Sequence, residues 1–248
     1  MSFVALSHPI NQLMLHSLSI ITITYNNPEE IISTYKSLKE FRNAGGTHII
    51  INGGETIKEL IDNDCVLLEE PDKGIYDALN KGINQVNTTF FMLIHSGDIL
   101  VERTENLEAL LNKMSKEEVD FLLNDCSIEF GDKKRMMKSS KWKPWMFMLG
   151  AQPPHPPILY RTRAVSSFQY DVNHPIIADF KYLEDLFQSD LKWTKGYMML
   201  IHMSAGGVTS SGLKSFLYVN KQFLKLKGPF KTTLFAIARP FIKVYQML

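Results

Sequence analysis

The 248-residue sequence predicts an α/β protein, a mainly parallel sheet flanked by helices and followed by a basic helical extension. Three observations carry that expectation. β-Branched and apolar runs alternate with helix-period segments through the first hundred residues. Four of those runs end in polar turns. Charge is divided along the chain: 18 Lys+Arg stand against 26 Asp+Glu up to Asp190, then nine cations and no acid from Leu191 onward.

Taken in order, Leu18–Thr24 is β-branched and apolar, a buried strand. Asn27 caps a helix with Pro28 at its first position and Glu29 and Glu30 in its first turn, where negative charge is favourable. Ile31, Tyr35 and Leu38 recur at helical spacing and face the sheet. Thr47–Ile51 is a second strand ending in Gly53-Gly54, Glu55–Asn63 a short helix, and Cys65–Leu68 a third strand. Asp72 is placed as the cap of a helix whose Ile75, Leu79, Ile83 and Val86 form one apolar stripe. Thr89–Ile94 is a fourth strand running into His95-Ser96-Gly97-Asp98. Right-handed crossovers then bring Thr24-Tyr25-Asn26, Asn52-Gly53, Glu69–Lys73 and Ser96-Gly97-Asp98 to one sheet edge, where such folds bind ligands.

The second half is less regular. Val119–Asn124 reads as a strand and Ser127–Met137 as a hairpin turning at Gly131-Asp132. Pro153–Pro157 is extended, because each proline bars helix for its neighbour. Ala178–Phe187 reads as a helix and Tyr197–Met203 as a strand. Cys65 and Cys126 fit no metal-knuckle or disulfide spacing, so reduced thiols in a cytoplasmic protein are expected. The first 25 residues lack a basic start and a small-residue cleavage site, so no signal peptide is expected. The longest apolar runs fall short of a membrane span.

Asp98 lies in an acidic turn after a buried apolar strand, a rigid place for a divalent ion held by carboxylate oxygen. Mg²⁺ or Mn²⁺ there would stabilise a departing diphosphate, and Gly97 lets the backbone approach that group.

At this point the sequence resembles glycosyltransferase family 2, the GT-A (Rossmann-like) enzymes, from about Leu18 to Gly207. The opening Ser19–Asn27 carries the resemblance, and the thirteen-residue run Glu70–Gly82 is its most specific part, close to the colanic-acid and O-antigen subgroup of bacterial polysaccharide assembly. Ser96-Gly97-Asp98 stands where the family has Asp-x-Asp or Asn-x-x-Asp. His155–Arg161 resembles its His-Gln-to-Arg stretch, Ala178-Asp179-Phe180 its Ala-Asp-Tyr, and Gly206–Thr209 its closing Gly-Gly-Val-Ser segment.

The resemblance implies an inverting transferase taking a sugar from a nucleotide diphosphate, with Asp179 as general base and Asp98 on the metal. His202 is a further metal candidate and His155 an acceptor-side one. Thr24, Tyr25, Asn26, Asn52, Gly53, Asp72, Lys73, Gly74, Asp77, Asn80, Lys81, Ser96 and Gly97 are the donor-side candidates. Asn52 departs from the family, which has an acid that reads the nucleobase there. A UDP-sugar is the first expectation, with GDP- and dTDP-sugars as alternatives.

Plain structural readings stand beside these. Asp98 caps the helix starting near Arg103, Asp77, Asn80 and Lys81 are helix surface, Asp179 is a solvated helix acid, and His155 and His202 are satisfied loop and core histidines. A sugar nucleotidyltransferase and a non-catalytic nucleotide-binding member of the fold also remain open. The expected organisation is a catalytic domain over 1–209, with a nucleotide-sugar half to about residue 100 and an acceptor half beyond it, and a tail over 210–248.

In the tail, Lys214, Lys221, Lys225, Lys227, Lys231, Arg239 and Lys243 interleave with aromatic and aliphatic residues, and Gly228-Pro229 divides two helices. Basic amphipathic helices settle into anionic bilayer surfaces. The tail therefore predicts a peripheral protein on the inner face of the cytoplasmic membrane acting on a lipid-linked glycan, unless its apolar faces pack on the domain instead. No nucleic-acid reading motif accompanies the charge.

Overall fold

The computed structural model describes residues 15–130, 133–204 and 212–247. Nine strands form one sheet: β1 Leu18–Thr24, β2 Thr47–Asn52, β3 Val66–Glu69, β4 Phe90–Leu93, β5 Ile99–Leu100, β6 Phe121–Phe130, β7 Lys133–Met137, β8 Leu159–Arg161 and β9 Trp193–Met203. The helices are α1 Pro28–Ser37, α2 Lys39–Asn43, α3 Ile75–Asn84, α4 Thr104–Lys116, α5 Thr162–Val165, α6 Ala178–Gln188 and α7 Gly212–Met247. Strand order is β3-β2-β1-β4-β8-β6-β9-β5, with β7 pairing β6.

The first half follows the expected pattern. β3, β2, β1 and β4 are parallel neighbours, so their carboxyl ends share an edge. Alternate residues of β1 serve opposite faces: Leu18 and Ile20 join one buried cluster, Ile21 and Ile23 the other. That two-sided burial is why the strand reads as a continuous apolar run. Asn27 caps α1, and Ile31, Tyr35 and Leu38 are buried beneath it. Gly82 lets α3 lie against Ile21 and Ile51, where a side chain would collide.

Several expectations are corrected. Glu55–Asn63 forms no helix, because the Glu69 carboxylate takes the Ile57 N–H and the Thr56 hydroxyl and ties the segment down as a turn. Gly74, with φ of 116°, is the N-cap residue of α3 in place of Asp72. Ile75 is 42% exposed and leaves the apolar stripe to Leu79, Ile83 and Val86, with Ala78 beside them. Asp98 does not cap α4, which begins at Thr104 behind Arg103.

Beyond β4 the sheet is mixed. β8 is antiparallel to both β4 and β6, β9 runs parallel to β6 across a bulge near Asp125, and β5 is antiparallel to β9. β6 and β7 form the expected hairpin, whose turn at Gly131-Asp132 lies outside the described residues. The Gly206–Thr209 segment and the expected boundary near residue 209 also lie outside them. α7 breaks at Gly228 (φ 77°, ψ 173°) into two arms. Its Val219, Phe223, Phe235 and Ile242 are buried in the same cluster as Trp142, Tyr160 and Tyr182. Among the described residues no helix is long and apolar enough to cross a membrane.

Candidate functional site

The four polar turns meet at the carboxyl edge of β1–β4. Gly53 N–H donates to Thr24 O, Glu70 N–H to Asn52 O and Ser96 N–H to Ile23 O, which stitches the turns together. Tyr25 stands 67% exposed on this edge, and Asn26, at φ 50°, accepts the Glu55 N–H through Oδ1 at 2.8 Å. Asn52 is buried. Its Nδ2 donates to Glu55 O at 2.7 Å and to Glu69 Oε1 at 3.1 Å, and its Oδ1 accepts from Gly54 N–H at 3.0 Å. Burial acts to raise the Glu69 carboxyl, but the Ile57 N–H, Asn52 Nδ2, the Thr56 hydroxyl and the Lys58 charge together hold it below its ordinary pKa. Gly53, Gly54, Thr56, Glu69, Glu70 and Pro71 surround an open hollow here.

The Glu70–Gly82 run forms a compact polar turn. Asp72 Oδ1 accepts the Gly74 N–H at 2.9 Å, and Asp77 reaches back from the first turn of α3 to the Lys73 N–H at 2.9 Å. Asp77 thus performs the helix-start role expected of Asp72. Lys81 is held between Glu70 Oε1 at 3.0 Å, Asp77 Oδ2 at 3.6 Å and Pro71 O at 2.7 Å, while Lys73 is exposed. Asn80 has both ends of its amide on the Tyr170 backbone, at 2.9 Å each, so it joins the two halves of the molecule and is turned away from a ligand. A Cβ on Gly53 would overlap the Asp72 carboxylate. Gly53→Ala is therefore expected to displace this loop, read as shifted amide resonances over residues 70–74 in an NMR spectrum of the variant.

Ser96 lies beside Thr24, and Gly97, at φ 90°, adopts the left-handed turn that leads to Asp98. Thr34 of α1 fixes this turn. Its hydroxyl donates to Asp98 O at 2.8 Å and accepts from Gly97 N–H at 2.9 Å. The Asp98 side chain is 4% exposed; Oδ1 accepts from Ser204 N–H at 3.1 Å, and Oδ2 is buried with no hydrogen-bond partner. Desolvation pushes the carboxyl up to about 7, with the Glu30 charge adding to the rise and backbone N–H groups opposing it.

A buried carboxylate oxygen without a partner fits a hard divalent ion. Among the described residues no three His, Cys, Asp or Glu side chains converge. Mg²⁺-like ions are commonly held by one or two carboxylates together with substrate phosphates and water, so Asp98 suits that mode. His202 has both ring nitrogens engaged, Nδ1 with Ser127 Oγ at 3.0 Å and Nε2 with Glu129 Oε1 at 3.1 Å.

Asp179 stands in the first turn of α6. Gln152 Nε2 donates to Oδ2 at 2.6 Å, while the Tyr76 hydroxyl at 3.2 Å and Phe180 N–H at 2.8 Å donate to Oδ1. Burial raises the Asp179 pKa; these three donors and the nearby His95 pull against it. His155 is buried, with Nε2 on the Tyr170 hydroxyl at 2.7 Å, and burial lowers its pKa to about 4. Its ring is therefore buried and engaged by Tyr170. Thr34, Tyr76 and Gln152 carry no sequence signal that marks them for this site. Tyr76 lies inside the Glu70–Gly82 run, but nothing local pairs it with a residue 103 positions away.

The sequence model of glycosyl transferase family 2 matches residues 19–177. An uncharacterized glycosyltransferase of Mycobacterium tuberculosis is 33% identical over 89 residues, 33% of this chain and 34% of that protein, so the match spans about a third of either. Among solved structures, a mannosyltransferase from Pyrobaculum calidifontis in complex with GDP-Man and Mn²⁺ superposes with a TM-score of 0.62 at 13% identity, covering 93% of this chain and 72% of that one. S. aureus TarS 1-349 in complex with UDP superposes with a TM-score of 0.55 at 15% identity, covering 88% and 69%. At such identities the superpositions establish the shared fold.

Proposed function

Because the chain belongs to glycosyl transferase family 2, we propose that it moves a sugar, with inversion, from a nucleotide-diphosphate donor to a hydroxyl of a lipid-linked glycan in bacterial surface polysaccharide synthesis. The observation that supports this reading is a buried carboxylate oxygen on Asp98 that has no hydrogen-bond partner, at the sheet edge where the polar turns meet. Asp179 is held by three donors on the acceptor side. A divalent ion, Mg²⁺ or Mn²⁺, would be held by Asp98 and would supply neutralising charge for the departing diphosphate.

Asp179 accepts the proton of the acceptor hydroxyl as that oxygen attacks the anomeric carbon, and a single displacement inverts that centre. Tyr76 and Gln152 orient its carboxylate. Tyr25, Asn26, Gly53, Asp72, Lys73, Gly74, Ser96 and Gly97 form the donor-side surface. The hollow beside Asn52 and Glu69 receives the nucleobase, with Asn52 acting through its grip on Glu69. UDP-sugars come first as donors, since TarS was solved with UDP and with UDP-GlcNAc; the mannosyltransferase bound to GDP-Man keeps GDP-sugars in view. Purified protein screened against UDP-, GDP- and dTDP-sugars is expected to hydrolyse one donor slowly in the presence of Mn²⁺. Hydrolysis of none would refute the reading.

We place the protein at the inner face of the cytoplasmic membrane through α7. One face of the helix is buried in the core, and the other presents Phe230, 84% exposed, and Phe241, 74% exposed, beside Lys225 and Lys231. Removing residues 210–248 would strip buried side chains from the core, so the test uses the full chain. Replacing Phe230 and Phe241 by Ser is expected to reduce flotation with phosphatidylglycerol vesicles at least fivefold at unchanged melting temperature. Equal flotation would remove the membrane assignment.

A further inference from the structure

A second basic block interrupts the acidic body of the chain. From Lys133 to Lys143 six of eleven residues are Lys or Arg, and no acid follows until Asp171. β7 carries the first part of this block, and the rest leads into the short 3₁₀ helix Pro144–Leu149. That helix divides its apolar side chains between two sides. Met146 and Phe147 are buried, and the Phe147 ring meets Trp142 at 5.1 Å and Phe180 at 5.4 Å, so the element is anchored in the core. Trp145 and Met148 are three residues apart, which places them on one side of a 3₁₀ turn, and they are 55% and 72% exposed. Beside them Lys143 is exposed, and Lys138 and Lys141 are partly so. Among the described residues none of these three lysines is ion-paired. The acids of the adjoining β6 are engaged elsewhere. Asp125 is buried on the Ser139 N–H and hydroxyl, at 2.7 Å and 2.8 Å, and Glu129 pairs with His202. Lys195 of β9 donates to Trp142 O at 2.8 Å and brings a fourth cation to the loop.

We propose that the segment Lys138–Met148 is a contact for an anionic bilayer, in the body of the chain and outside the tail. Its lysines are drawn to anionic headgroups, each strengthening binding about fivefold near such a surface. A tryptophan with its ring exposed beside them suits the headgroup boundary, where one end of the indole is wet and the rest apolar. Because Phe147 already fixes the loop in the core, docking orders little that was free. The patch also continues into the second arm of α7. Lys141 Nζ lies 5.3 Å from the centre of the Tyr245 ring, and Phe241, Val244 and Tyr245 are exposed there. Two contacts carried by one rigid body bind together far more tightly than either alone, and they hold the protein in one orientation on the surface. A single-stranded nucleic acid would call for a row of stacking rings, whereas Met148 and the end of α7 offer mostly hydrocarbon. The inference rests on the membrane placement above and adds a second point of attachment and the lipid charge that it requires.

Flotation tests it. Full-length wild type, the triple variant Lys138→Gln/Lys141→Gln/Lys143→Gln and the double variants Trp145→Ser/Met148→Ser and Phe230→Ser/Phe241→Ser are mixed with phosphatidylcholine vesicles, with and without phosphatidylglycerol, at low and at high salt. The lysine variant is expected to bind phosphatidylglycerol vesicles at least tenfold more weakly than wild type at low salt and to differ little from it at high salt, where charge is screened. Trp145→Ser/Met148→Ser should bind at least fivefold more weakly at both, and both variants should keep the wild-type melting temperature. Wild-type affinity in either of them, alongside weakened binding by Phe230→Ser/Phe241→Ser, overturns the inference and leaves the tail as the membrane contact. Two further results also overturn it. Tighter binding of wild type to a single-stranded oligonucleotide than to vesicles, lost in the lysine variant, would assign the patch to nucleic acid. A dimer abolished by Trp145→Ser/Met148→Ser would assign it to a second copy of the chain. Absence of flotation by wild type on every vesicle would instead refute the membrane placement beneath it.

Discussion

Asp98→Asn is expected to abolish sugar transfer, by at least about 10³-fold, while making the protein more stable at pH 8. The two effects have one cause. The Asp98 carboxyl is 4% exposed, and its Oδ2 has no partner, so its ionised form is poorly solvated. Burial pushes its pKa in the folded protein up to about 7, well above the ordinary carboxylate range. A folded-state pKa above the unfolded one means that the folded state binds the proton more tightly. The stabilisation from that proton is complete below about pH 4 and is lost as pH rises through 7. Asparagine carries no such charge and keeps an oxygen for the Ser204 N–H.

The variant should therefore match wild type near pH 4 and exceed it above pH 7, by roughly 2–4 kcal/mol or about 5–10 °C in melting temperature. Melting curves across pH 4–8 check this. A variant less stable than wild type at pH 8 would show that Asp98 is a structural acid, and retained transfer would remove it from the metal. Mn²⁺ with a nucleotide diphosphate should close the gap by stabilising wild type alone.

Asp179→Asn is expected to lower kcat by about 10²–10⁴-fold, the range a general base contributes, with donor affinity unchanged. Asparagine preserves the size of the side chain and the oxygen facing Tyr76, but it cannot take a proton. Because burial raises the Asp179 pKa, the acidic limb of kcat/KM should lie above the ordinary carboxylate range, with activity falling as pH drops through it. Tyr76→Phe removes a donor that favours the ionised carboxylate and should move that limb further up, leaving kcat at pH 8 within about fivefold of wild type. A positioning residue shifts the profile; a packing residue would lower it uniformly. Unchanged kcat in Asp179→Asn would place the base elsewhere.

What was legible in the sequence follows the range of the interactions that form it. The buried run at Leu18–Thr24, the Asn27-Pro28 helix start and the apolar faces of α1 and α3 depend on neighbours within a few residues. Their pattern is therefore written locally, and so is the gathering of four turns that follows from parallel order. Glu55–Asn63 fails as a helix because its polar groups are taken by Glu69, which reaches them from the next strand. Asn52 braces the Glu69 carboxylate beside the hollow, through a bond between strands 17 residues apart. The antiparallel partners in the second half, including the three-residue β8, rest on long-range pairing that no period of two or 3.6 reveals.

The Asp179 cluster is assembled from Tyr76, Gln152 and α6, with the tail closing over it. Charge and amphipathicity identified the tail as a unit with two candidate uses. The buried Phe223 and Phe235 and the exposed Phe230 and Phe241 place packing on one face of it and an unpaired apolar ridge on the other.

The central claim is that Asp98 and the sheet edge beside it bind a nucleotide diphosphate together with a divalent ion. Calorimetric titration of UDP and GDP into wild type and Asp98→Asn, with Mn²⁺ and with EDTA, tests it most directly. The account predicts binding by wild type that strengthens at least tenfold with Mn²⁺, and loss of that increment in Asp98→Asn. Metal-independent binding by wild type, or an undiminished Mn²⁺ effect in the variant, would contradict it.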